Sequence, residues 1–143
     1  MFFDVDNSLG FKVNRLAIIL RQRLVHKFNE SGFDVTAEEW ILLNRLWQVD
    51  GRSQNELAES TIRDQTTVTR LVDKMEKKGF VNRKKQDKDR RIVLAYLTEK
   101  GKSLENKLIP IAMDTLSQAS KGISKKEMDI TLSTLNKCIN NIL

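Results

Sequence analysis

The period of the apolar residues changes at Gly79, and few folds can use such a change. From Asp64 to Lys78, residues Val68, Leu71, Val72 and Met75 fall at i, i+3, i+4 and i+7. That is one stripe of an amphipathic helix. At about 100° per residue the opposite side carries Thr66, Arg70, Asp73 and Lys77, flanked by Thr69 and Lys74. Asp64 stands where an N-cap belongs, and Gly79 where a left-handed residue ends a helix. Beyond Gly79 come two β-prone runs, Phe80 to Lys85 and Ile92 to Leu97. The charged segment QDKDRR separates them, which reads as a hairpin with a charged tip.

Helical signals dominate elsewhere. Leu9, Val13, Leu16, Leu20 and Leu24 predict a long amphipathic helix from about Ser8 to Glu30, ended near Gly32. Three Ser/Thr-x-x-Glu boxes, Thr36…Glu39, Ser53…Glu56 and Ser124…Glu127, predict helix starts with reciprocal capping. The first opens a helix to about Gln48, followed by a turn at Asp50-Gly51. The second opens a short helix to about Ser60, before Thr61-Ile62-Arg63. Thr98 caps a helix expected to reach about Ala119 with a kink at Pro110. The last helix, about Ser124 to Asn141, is expected to bury Met128, Leu132, Leu135 and Ile139.

The net charge of +6 is concentrated. Between Arg63 and Arg91 lie 11 Lys/Arg against 5 Asp/Glu, so this segment alone carries the whole excess and the remainder is neutral. Such a local basic excess is the footprint of a polyanion partner, most often nucleic acid. Other classes fall away. No apolar run approaches the roughly 20 residues of a membrane span. The acidic opening MFFDVDNSLG lacks the basic region of a signal peptide, which leaves a cytoplasmic setting. One cysteine and one histidine build no metal cluster, and no nucleophile–base pattern or phosphate-binding glycine loop suggests an enzyme or a cofactor. Cys138 lies among apolar residues and reads as a small hydrophobe. His26 reads as a surface or interface residue.

Two helices joined by a tight turn, then a basic hairpin, make a winged helix-turn-helix. The fold class is therefore mainly α with a small β-hairpin. The Ser53–Ser60 helix braces the Asp64–Lys78 helix, which is the size of a major-groove reader of double-stranded DNA. Its first turn presents Gln65, Thr66 and Thr67. Gln reads adenine bidentately, and Thr meets phosphate or a thymine methyl. Arg70, one turn on, reads guanine or clamps phosphate. A nonspecific architectural DNA binder or a protein-interaction module would use the same fold.

The stretch QNELAESTIRDQTTVTRLVDKMEKKGFVNRKKQDKDRRIVLAYLTEKG resembles the core of the MarR family of bacterial winged-helix transcription regulators. That family shows a wing motif D-x-R-x-x-x-V-x-L-T. Here it reads from Asp89 to Thr98, with Ala95 in place of the valine. Gln86 stands where members often have Asp. With the flanking helices the resemblance spans about residues 9 to 140.

The resemblance implies one domain over 1–143: a DNA-binding lobe over 35–98, with residues 1–34 and 99–143 supplying dimerisation helices. It implies a homodimer on a palindromic operator, usually a repressor. Independently, Phe2, Phe3, Val5, Phe11, Ile139, Ile142 and Leu143 are more apolar than unattached termini need, although a monomer packing its own ends would also explain them. The resemblance assigns Arg91 to the minor groove with Asp89 as its ion-pair partner. Lys84, Lys85, Lys88 and Arg90 would meet phosphates. It further implies release by a small aromatic or phenolic effector between the dimer helices and the lobe. Trp40 and Trp47 could line that cleft, or could simply be core. Members that sense peroxide through a cysteine near the N-terminus have no counterpart here.

Overall fold

The computed structural model describes residues 1–61 and 63–143; Ile62, in the expected turn, lies outside them. After a short 3-10 turn at Val5–Asn7, helix α1 runs over Leu9–Glu30, started by the Ser8 hydroxyl accepting from the Phe11 N–H at 3.3 Å. Helix α2 (Ala37–Gln48) begins where the Thr36 hydroxyl accepts from the Glu39 N–H at 3.1 Å. The short strand β1 (Arg52–Ser53) leads into α3 (Gln54–Thr61), with the Ser53 hydroxyl accepting from the Glu56 N–H at 3.1 Å. Helix α4 covers Gln65–Lys77, and strands β2 (Val81–Lys85) and β3 (Val93–Leu97) follow. Helices α5 (Glu99–Ser103), α6 (Glu105–Ala119) and α7 (Lys125–Ile142) complete the chain.

The sheet is antiparallel in the order β1-β3-β2. Arg52 and Arg83 flank Ala95, and Val81 pairs with Leu97. Strand β1 is an addition to the expected hairpin. At two residues it is too short to show a period, and it exists because β3 has an open edge to pair. The core gathers Leu42, Leu43 and Leu46 of α2, Leu57 of α3, and Val68, Val72 and Met75 of α4. Val81, Ala95 and Leu108 close it, with Phe28 from α1. Ala95, the departure from the wing motif, is fully buried here. A valine would need two more methyl groups accommodated at that point.

Several expectations are corrected. Only Ser124–Glu127 forms a reciprocal capping box, at 3.1 and 2.8 Å. At Thr36 the second arm is missing because Glu39 turns inward. It is buried and pairs with Lys78 Nζ at 2.9 and 3.0 Å, tying α2 to the end of α4. The single helix expected after Thr98 is divided at Leu104, and Pro110 sits inside α6. At Leu104 the ladder tightens, with the Lys107 N–H donating to the Leu104 carbonyl at 3.1 Å, while the side chain is held in the core. Lastly, α7 buries none of its expected stripe. Met128 and Leu135 are half-buried, and Leu132 and Ile139 are exposed. Leu9, Val13 and Leu16 of α1 are exposed as well. An apolar stripe is buried only if something lies against it. Helix α1 leans on α6, where Lys27 Nζ meets Asp114 at 2.6 Å, but among the described residues nothing covers these faces.

Candidate nucleic-acid interface

Helix α4 has its N-terminus pinned by Asp64, whose carboxylate accepts from the Thr67 N–H at 2.7 Å. That backbone hydrogen bond is the main reason the Asp64 carboxyl lies below the ordinary aspartate range. At the other end Gly79, at φ +80°, supplies the left-handed residue that turns the chain into β2. Gln65, Thr66, Arg70 and Lys74 are exposed on the outer side of α4, and Thr67 is half-buried. The Gln65 amide donates to the Asn55 side chain of α3. Thr69 is turned into the α3–α4 seam. Its hydroxyl donates to the Gln65 carbonyl at 2.8 Å and accepts from Gln54 Nε2 at 3.1 Å, so both roles are used within the protein.

The wing tip is ordered by its own hydrogen bonds. The Gln86 N–H donates to the Ile92 carbonyl at 2.9 Å and closes the hairpin, even with Gln86 where an Asp is common. Asp89 then clamps Arg91. The Arg91 backbone N–H and Nε reach one carboxylate oxygen at 3.0 and 3.1 Å, and Nη2 reaches the other at 3.1 Å. The Arg91 side chain is nonetheless 91% exposed. It is a guanidinium aimed outward and held by a fork, so less rotamer freedom is left to lose on docking. The same bonds, side chain first, hold the Asp89 carboxyl below its ordinary range. A carboxyl depressed in the folded state adds stability above the ordinary aspartate range and loses it as pH falls through the lower folded value. The clamp is therefore intact at neutral pH. Lys84, Lys85, Lys88 and Arg90 are exposed along the same hairpin, and Arg90 makes a loose 3.8 Å pair with Asp87.

Arg83 is the residue the sequence reading passed over. It leaves β2 on the same face as buried Val81 and is itself half-buried. It contacts Gln54, Thr69 and Asp73 on the two helices. The available signal was the two-residue strand period, which puts a charge on an inward face and so demands acceptors. Asp73 and Glu76, one turn apart on α4, supply them.

The two tryptophans part ways. Trp40 lies between Phe28 and Trp47, with ring centroids 5.5 and 5.7 Å away. It lines a cavity of about 150 Å³ with Leu20, Leu24, Ala112, Thr115 and Arg21, between α1, α2 and α6. Trp47 does not line it, and its indole N–H donates to the Gly101 carbonyl at 3.0 Å. Among the described residues no helix is long and apolar enough to cross a membrane.

Comparison with known proteins agrees with this geometry. Residues 35–93 match the model of the MarR family. A MarR transcriptional regulator from Methanosarcina mazei Go1 is 27% identical, with 94% of this chain and 96% of that chain covered and a TM-score of 0.82. CouR, a transcriptional repressor of Rhodococcus jostii RHA1 solved on a 23-mer DNA duplex, has 20% identity, 95% coverage of each chain and a TM-score of 0.85. BpsR of Bordetella bronchiseptica, whose DNA binding is regulated by 6-hydroxynicotinic acid, has 20% identity, covers 96% of this chain and 97% of its own, and gives a TM-score of 0.86. At such identities the last two speak for the fold alone. The helix-turn-helix, the clamped wing and the match over residues 35–93 lead to one assignment: the chain carries a MarR-type winged-helix lobe and is similar along nearly its whole length to MarR transcriptional regulators.

Proposed function

We propose that the chain is a cytoplasmic repressor that binds a palindromic operator as a homodimer and is released by a small aromatic or phenolic anion. The observation that carries this reading is the Asp89–Arg91 clamp, which holds an exposed guanidinium at the tip of a basic wing. A narrow A·T-rich minor groove has the deep negative potential that favours such a group. Gln65, Thr66, Thr67 and Arg70 then face base edges in the major groove. Thr69 positions the helix from its seam, and Lys74, Lys84, Lys85, Lys88 and Arg90 meet phosphates.

Dimerisation draws support from the apolar faces of the terminal segments, where Phe2 is 89% and Leu143 85% exposed. Residues 1–34 and 99–143 would cover one another across the two-fold axis. The effector reading draws on the cavity at Trp40. One small ring fits it, and Arg21 at its wall suits an anion. Arg21 also pairs with Glu38 of α2, so an anion competing for Arg21 would loosen α1 from the lobe. Trp47 has a structural role in this scheme.

The test is a gel-shift titration on an operator recovered from random duplex DNA. Arg91→Ala should weaken binding by about 10- to 100-fold. Lys126→Ala, on α7 and remote from the wing, should leave it unchanged. Equal effects of the two substitutions would remove Arg91 from the groove.

A further inference from the structure

Arg83 joins the wing to the helices more completely than any other side chain of the hairpin. Its Nε donates to Gln54 Oε1 of α3 at 3.0 Å, and its Nη2 donates to the Thr69 carbonyl of α4 at 2.8 Å. Its Nη1 pairs with Asp73 of α4 and lies 3.7 Å from Glu76. The Arg83 backbone N–H donates to the other Glu76 oxygen at 3.0 Å. The connection continues inward. Gln54 Nε2 donates to the Thr69 hydroxyl at 3.1 Å, and that hydroxyl donates to the carbonyl of Gln65, the first residue of α4. One polar chain thus runs from the wing strand to the N-terminal turn of the helix proposed to read bases.

The planar fork explains why arginine suits this place. A guanidinium spreads donors over three directions, and here each direction meets a different acceptor. A lysine could satisfy one of them. Val81, at the far end from the tip, is buried in the core, and the Arg83 backbone N–H bond to Glu76 is the other polar tie between β2 and α4. Without the fork, only that backbone bond and the pairing with β3 would hold the outer half of β2.

We infer that Arg83 is a positioning residue that fixes the wing relative to α4, and so sets the spacing between the minor-groove and major-groove contacts on DNA. It touches no base in this scheme and acts through Arg91. The inference rests on the proposed wing contact of Arg91, and the test separates the two. Operator affinity is measured for Arg83→Gln, Arg91→Ala and the double variant, in the full chain. Footprints are taken with hydroxyl radical for the minor groove and dimethyl sulfate for the major groove.

Arg83→Gln should weaken binding about tenfold alone and less than about twofold in the Arg91→Ala background, because both act on one contact. Hydroxyl-radical protection opposite the wing should fade while major-groove protection stays. Losses that multiply, with both protections fading together, would mean a merely structural role and would overturn the inference while leaving the Arg91 reading intact. A silent Arg91→Ala would overturn both. If Arg83→Gln fails to fold, Gln54→Met cuts a single arm of the fork without a charge change. It should show the same selective loss at the wing, and an even loss in both grooves would overturn the inference.

Discussion

Gly101→Ala should destabilise the protein by about 3 kcal/mol or more, the largest effect expected from adding one methyl group. The reason is a close approach. A Cβ on Gly101 would lie 2.1 Å from the Phe80 carbonyl oxygen and 3.1 Å from Leu97 Cδ2. Neither side can yield cheaply. The Phe80 carbonyl accepts from the Thr98 N–H at 3.0 Å, and the Gly101 N–H donates to the Thr98 hydroxyl at 3.0 Å. The Gly101 carbonyl also accepts from Trp47. Relief would have to part α5 from the start of β2, which is the root of the wing. Gly10→Ala is the internal control. It sits in α1 with nothing within 4 Å, so alanine there should stabilise by about 0.5–1 kcal/mol through helix propensity. Urea midpoints read both. A Gly101→Ala variant within about 0.5 kcal/mol of the parent would show that the approach is not rigid.

The second large effect concerns the inward Glu39. Lys78→Met should cost about 3 kcal/mol, because it strands a carboxylate whose side chain is almost wholly enclosed. Lys78 also donates to the Asp34 carbonyl at 3.1 Å, so the loop before α2 loosens too. Replacing both partners, as in Glu39→Leu with Lys78→Met, should recover much of the loss, since a buried pair is often no better than apolar residues of similar size. A double-mutant cycle in urea measures this coupling. Equal losses in the single and double variants would mean that Glu39 is not held by Lys78.

What the sequence made legible was local. The stripe of α4, its Asp64 cap, Gly79 and the change of period each depend on residues a few positions apart, and all four appear as expected. The features that were not legible depend on a distant partner. Thr36…Glu39 has the same spacing whether its glutamate caps the helix or turns towards Lys78, 39 residues on in the sequence, a partner that no local pattern records. Arg83 stands out in no local pattern because its acceptors come from two other elements, Gln54 of α3 and Thr69 and Asp73 of α4. Pro110 is the expected kink, yet α6 runs through this exposed proline undivided, and the break falls where Leu104 is held in the core. The stripe of α7 was correctly apolar, but a pattern names a face and not what covers it. At the interface, the family resemblance implied an Asp89–Arg91 pair, and the two side chains do meet in a bidentate contact, while Thr69 and Trp47 have their polar groups engaged within the chain.

The most direct measurement is selection of bound sequences from random duplex DNA, followed by titration of the winner and a scrambled duplex at one stated salt concentration. The enriched sequence should be an inverted repeat with half-sites about 10 bp apart, one for each α4 of a two-fold dimer. Its affinity should exceed that for the scrambled duplex by about 10³-fold or more. Selection that enriches no motif, with near-equal affinities for the two duplexes, would contradict operator recognition and leave an architectural DNA binder on the same fold.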